Sequence, residues 1–171
     1  MPPRLRLLAI SLCFVTFLGL SIEGIAMSFF SRPTQELVIC SEMQGKLTFQ
    51  GKPAAGAKIV RWSAWKDHDG ESETFYADEH GNFLLPEKRD IHKKGPLDFL
   101  AQFVGKQLVT VTYQGMDYEI WYSNKFEPNR DSEYGGAPSE FFCELTDEVV
   151  HIRKDHANLT TSCKWDVIKG H

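Results

Sequence analysis

The sequence predicts an all-β domain, a single β-sandwich of about seven to nine short strands behind an N-terminal signal or anchor helix. Three observations carry this. Short alternating runs rich in β-branched and aromatic residues recur between Gly, Pro, Asn and Asp punctuation. Gln107–Tyr113 and Met116–Tyr122 flank Gln114-Gly115, the pattern of a tight hairpin. Gly45–Phe83 reads as strand, reversal, strand and reversal, with no internal repeat or low-complexity tract anywhere in the chain.

Taken in order, Glu36–Cys40 forms a first strand, and Leu47 and Phe49 share one face of the next. Gly51 and Pro53 reverse the chain, and Gly56 releases it into a strand over Ala57–Trp65. Lys66–Glu73 is a polar loop, Thr74–Ala77 returns as a strand, and Asp78-Glu79-His80-Gly81-Asn82-Phe83 turns tightly into Phe83–Leu85. Glu87–Pro96 is hydrophilic and reads as an exposed loop. Leu97–Val104 has no decisive periodicity between a helical turn and an irregular strand. After the hairpin, Ser123–Pro138 is a second long polar stretch. Strands over Glu140–Leu145 and Val149–Arg153 and a last segment near Thr160–Ile168 complete a sandwich over residues 36–168.

Residues 1–30 read as an address. Arg4 and Arg6 precede an uncharged run from Leu7 to Ile22, and Gly24-Ile25-Ala26 supplies the small residues a signal peptidase reads. Cleavage after Ala26 releases the domain. If uncleaved, the segment is long enough to anchor it, with the arginines on the cytoplasmic side. Either way the domain faces the periplasm; a start at Met27 would instead leave it in the cytosol.

The layout Gly45-x-Leu47-x-x-x-Gly51-x-Pro53-x-x-Gly56-Ala57-x-Ile59, followed by Asp78-x-x-Gly81-x-Phe83, resembles the carboxypeptidase regulatory-like, or transthyretin-like (prealbumin-like), β-sandwich. Val38-Ile39-Cys40-Ser41-Glu42-Met43-Gln44-Gly45, Tyr118-x-x-Trp121, Phe142-Cys143-Glu144-Leu145-Thr146 and Ser162-Cys163-Lys164-Trp165 resemble, more narrowly, an uncharacterised bacterial family of this type, domain-of-unknown-function family 6795. The resemblance implies the fold and carries no catalytic residue over.

The 171 residues carry a formal charge of −4. An acidic domain without clustered Lys and Arg is a poor nucleic-acid binder, since phosphates must be neutralised by grouped cations. His68-Asp69-Gly70-Glu71 matches a two-residue H-x-x-E spacing, but a zinc hydrolase needs a further ligand and a general base. Asp67, Asp69, Glu71 and Glu73 alternate, too few oxygens for calcium. No nucleophile is flanked by a base and an oxyanion motif. The sequence therefore points to no catalytic residue, no metal and no cofactor.

The aromatics are more suggestive. Alternation puts Ala57, Ile59 and Arg61 on one face and Lys58, Val60 and Trp62 on the other. In the hairpin, Tyr118, Ile120 and Tyr122 oppose Glu119 and Trp121. Trp62, Trp65 and Trp121, beside Asp67 and Asp69, form a candidate binding face; the competing reading packs these rings into the core. Arg61 on an inward face needs a carboxylate, with Glu144 or Asp78 as candidates. In an oxidising compartment two of Cys40, Cys143 and Cys163 pair. Cys143 with Cys163 would tie the last segment to the Phe141–Leu145 strand, and Cys40 with either is an alternative that spacing leaves open.

The expected function is a non-enzymatic, envelope-located binding domain that acts by contact with another protein, as an immunity or accessory protein of a secretion or surface system would. A glycan- or peptide-binding module is the alternative, and a hydrolase using the Asp67–Glu73 loop a third reading.

Overall fold

The computed structural model describes residues 34–66, 69–96 and 100–168. The N-terminal segment, with its expected helix, lies outside them. Thr34, Gln35 and residues 93–96 belong to one compact unit, and residues 36–92 and 100–168 to another, which holds the sheets and the core. Among the described residues the protein is all-β, with one 3-10 turn at Ser132–Tyr134.

Thirteen strands form among the described residues: β1 Thr34–Cys40, β2 Met43–Phe49, β3 Lys52–Pro53, β4 Lys58–Ala64, β5 Glu71–Tyr76, β6 Asn82–Leu85, β7 Lys88–Lys93, β8 Gly105–Tyr113, β9 Met116–Lys125, β10 Phe141–Glu144, β11 Val150–Lys154, β12 Ala157–Thr161 and β13 Cys163–Lys164. This exceeds the expected seven to nine, because two-residue strands such as β3 and β13 carry no alternation to read. The Glu87–Pro96 loop is corrected too: its polar residues form β7, an exposed strand paired with β1.

Six strands make one open sheet in the order β11-β12-β9-β8-β4-β5, all antiparallel. A second sheet runs β13-β10-β2-β3, with β6 also on β2. Here β2 and β10 are parallel, Gly45 facing Phe141. A Cβ on Gly45 would sit 2.2 Å from the Phe141 carbonyl oxygen, so only glycine admits this approach.

One apolar cluster draws on both sheets. Leu47, Phe83 and Phe141 come from the smaller sheet, and Ile59, Val111 and Trp121 from the larger. Alternation explains most of it: in β8, Gln107, Val109 and Val111 are buried while Leu108 and Thr110 between them are half-buried. Two turns are locked by carboxylates. Asp78 accepts from the His80 and Asn82 N–H groups, and Glu144 accepts from the N–H groups of Gln50 (2.9 Å) and Gly51 (3.0 Å). Both are therefore occupied elsewhere than at Arg61, whose partner is Glu73.

Candidate functional site

The expected binding face is divided by the fold. Strand parity turns Trp62 away from the core, where it is half-buried. Its indole N–H donates to the Asp69 carbonyl at 3.1 Å. Gly70, at a φ of +62°, lies so close that a Cβ there would be 2.6 Å from the indole. Trp62 is thus hydrogen-bonded and closely packed against the turn that precedes β5. Trp65 is half-buried as well; its ring meets Phe103 at 5.8 Å, and the Lys66 ammonium sits 4.3 Å from its centroid. Asp69 contributes its backbone here, and Asp67 lies outside the described residues.

Trp121 corrects the expectation. It is fully buried, with Tyr134, Phe141 and Trp165 at centroid distances of 5.5 to 5.9 Å. The cause is a β-bulge. Val109 pairs with Trp121 but Thr110 pairs with Glu119, which leaves Ile120 as an extra residue. One inserted residue reverses the alternation, so Tyr118, Ile120 and Trp121 all pack on the core and Tyr122 turns outward. A bulge leaves no mark in the apolar pattern, so simple alternation puts Tyr122 on the wrong side.

On the outer face of the six-stranded sheet the register aligns Ser72, Trp62, Leu108, Tyr122, Thr160 and His151 in one row across all six strands. Beside it runs a second row of Ala64, Lys106, Asn124, Asn158 and Arg153. Trp62, Leu108, Tyr122 and Thr160 are each half-buried. Thr160 Oγ1 lies 2.8 Å from His151 Nδ1, and the Tyr122 hydroxyl donates to Asn124 Oδ1 at 3.5 Å. At the β4 end, Trp62, Ala64, Trp65, Lys66, Val104 and Lys106 line a groove of about 420 Å³.

The inner face carries charges of which the sequence reveals Arg61 but not its partner. Arg61 is buried and reaches Glu73, its direct partner across β4 and β5, at 2.8 Å, and also the Pro86 carbonyl at 2.5 Å. Lys125 and Glu133 form a pair buried at both ends, at 2.7 Å. Ser41 closes this network: its N–H and hydroxyl donate to Glu133 at 2.8 and 2.9 Å, and its oxygen accepts from Lys125 at 3.1 Å and from the Asp131 N–H at 2.7 Å. Parity marks Lys125 as inward only once the bulge is known.

Cys143 and Cys163, register partners of β10 and β13, are joined by a disulfide. Cys40 is a buried free thiol; burial pushes its pKa up to about 12, so it is no nucleophile. Among the described residues no group of three or more His, Cys, Asp or Glu is arranged to hold a metal ion, and no helix is long and apolar enough to cross a membrane.

Among known proteins, the model of the family described as Domain of unknown function (DUF6795) matches residues 43–148. That span runs from β2 past β10 and includes Trp62, Leu108 and Tyr122, while β11–β13 follow it. No curated protein and no solved structure matches the chain.

Proposed function

We propose, from the premise that the chain belongs to the DUF6795 family, that it is a non-enzymatic binding domain of the cell envelope which holds a macromolecular ligand on the outer face of its six-stranded sheet. The observation that carries this is the row of half-buried Trp62, Leu108 and Tyr122, seated on three adjacent strands and turned away from the core. Aromatic anchors of this kind dominate binding energetics, and a face that is fixed before contact loses little entropy on docking. The buried charges Arg61, Lys125 and Glu133 are each held in a structural ion pair, which favours binding over catalysis.

The finer assignment of the two sheets as a transthyretin-like sandwich belongs to the same proposal, supported by the core they share. So does the periplasm-facing location, supported by the Cys143–Cys163 bond, because disulfides persist in oxidising compartments. Alkaline phosphatase fused after His171 should be active in that case, and an inactive fusion on a full-length cytosolic chain would refute export.

The binding face is tested with Trp62→Ala and Tyr122→Ala, measuring melting together with capture of envelope material. Near-normal melting with capture reduced at least tenfold is expected. Unchanged capture by both variants removes this face from the reading. Phe142→Ala, on the exposed side of the other sheet, is the control.

A further inference from the structure

We infer that the ligand of this face is an acidic polysaccharide chain lying across the strands, along the Trp62–Tyr122 row and the Lys106–Arg153 row. Such a ligand presupposes the binding face proposed for Trp62, Leu108 and Tyr122 and gives it a chemical class.

The direction follows from register. Adjacent strands are about 4.8 Å apart, so six of them give a track of roughly 24 Å, long enough for an oligosaccharide of several rings. Trp62 and Tyr122 stand two strands apart, about 10 Å, which spaces two aromatic contacts along one chain. Aromatic faces receive the C–H face of a sugar ring, and side-chain amides and hydroxyls bond its OH groups. Asn124 and Asn158 lie side by side in the second row, with Thr160 beside them in the first.

A peptide ligand fits this geometry less well. Peptides that join sheets do so at edges, through backbone N–H and C=O groups. Here the backbone of β4, β8, β9 and β12 is committed to neighbours on both sides, so the face offers side chains only.

Charge selects the acidic class. The chain carries a net charge of −4, yet neither row contains a carboxylate. Lys106 and the nearby Lys66 stand towards one end, and Arg153 at the other. Carboxylates occur at the borders, with Asp69 before β5, Glu119 in the row of Thr74, Val60 and Thr110, and Asp155 at the β11–β12 turn. Cations at both ends of an amide-lined track complement a polymer with carboxylates spaced along it, and Arg153 can engage a carboxylate with two donors.

The test uses the purified full chain and three polymers in titration calorimetry: polygalacturonate, neutral hydroxyethylcellulose and poly-L-glutamate. Polygalacturonate should bind at least tenfold more tightly than either of the others. Tyr122→Ala and Asn158→Ala should weaken it about tenfold, Lys106→Ala and Arg153→Ala should weaken it and reduce its salt dependence, and Phe142→Ala should leave it unchanged. Equal binding of poly-L-glutamate would overturn the inference in favour of an acidic protein partner, and equal binding of the neutral polymer would overturn the charge argument. If no polymer binds while Trp62→Ala and Tyr122→Ala still lose captured envelope material, the glycan is refuted and the face stands; if those variants also capture normally, both fall.

Discussion

Removing one charge from the Lys125–Glu133 pair should cost more than removing both. The two side chains are each 1% exposed and 2.7 Å apart. Glu133→Gln retains an oxygen for the Ser41 N–H and so isolates the loss of charge, leaving the Lys125 ammonium buried beside neutral acceptors. Breaking one partner of a buried pair costs about 3–5 kcal/mol. Lys125→Met leaves a carboxylate that still accepts two hydrogen bonds from Ser41, which puts it near the lower end, about 3 kcal/mol. In the double variant no uncompensated charge remains, so adding Lys125→Met to Glu133→Gln should restore stability, which requires a coupling larger than the roughly 3 kcal/mol that Lys125→Met costs alone. Urea unfolding followed by tryptophan fluorescence measures this, because Trp121 contacts Tyr134 next to Glu133. A loss of about 3 kcal/mol lowers the midpoint by about 1–3 M at an ordinary urea slope. Strictly additive losses, or a Lys125→Met midpoint equal to wild type, would refute the reasoning.

Burial raises the Glu144 carboxyl, but the bonds from Thr146, the Gly51 N–H and Thr48 outweigh it and hold its pKa at about 2 against 4.5. A depressed carboxyl contributes stability that is complete above about pH 4.5 and disappears as pH falls to about 2, so Glu144→Gln should flatten the acid limb of the stability curve in that window, measured by melting against pH. Cys40 should resist a thiol reagent in the native protein and react on unfolding in urea; fast native labelling would contradict its burial. Trp121→Ala should lose about 3–5 kcal/mol of folding stability, whereas Trp62→Ala should melt near wild type. Gln107 is buried with neither amide atom bonded to protein, so Gln107→Met should leave stability unchanged or raise it by about 1 kcal/mol. A loss above about 2 kcal/mol would show that the amide is satisfied.

Much of the architecture is legible in the sequence because it is local. The hairpin tip at Gln114-Gly115, the Asp78–Asn82 turn and the alternation of β4 each depend on residues within a few positions of one another, and the parity of β4 places Trp62 and Arg61 on their correct faces. Even the Arg61–Glu73 pair is accessible in principle, since the two face each other directly in the β4–β5 hairpin. What hides it is the polar start of β5: the apolar pattern points to a return strand at Thr74, whereas pairing with β4 already holds Glu71–Glu73 in the sheet.

By itself, then, the sequence determined an all-β chain, its main reversals, the candidate cysteines and the outward turn of Trp62, because period-two alternation and turn chemistry are written in neighbouring residues. Tertiary structure alone decided the rest. A single bulged residue at Ile120 moved Trp121 into the core and Tyr122 out of it, and no apolar pattern records such an insertion. The Lys125–Glu133–Ser41 network joins β9, the Ser132–Tyr134 turn and the β1–β2 connection, so it exists only once the chain closes on itself. The rows across the outer face likewise depend on strand order, which brings Thr160 beside Tyr122 and Tyr122 beside Leu108: six strands supply one surface that none of them encodes alone.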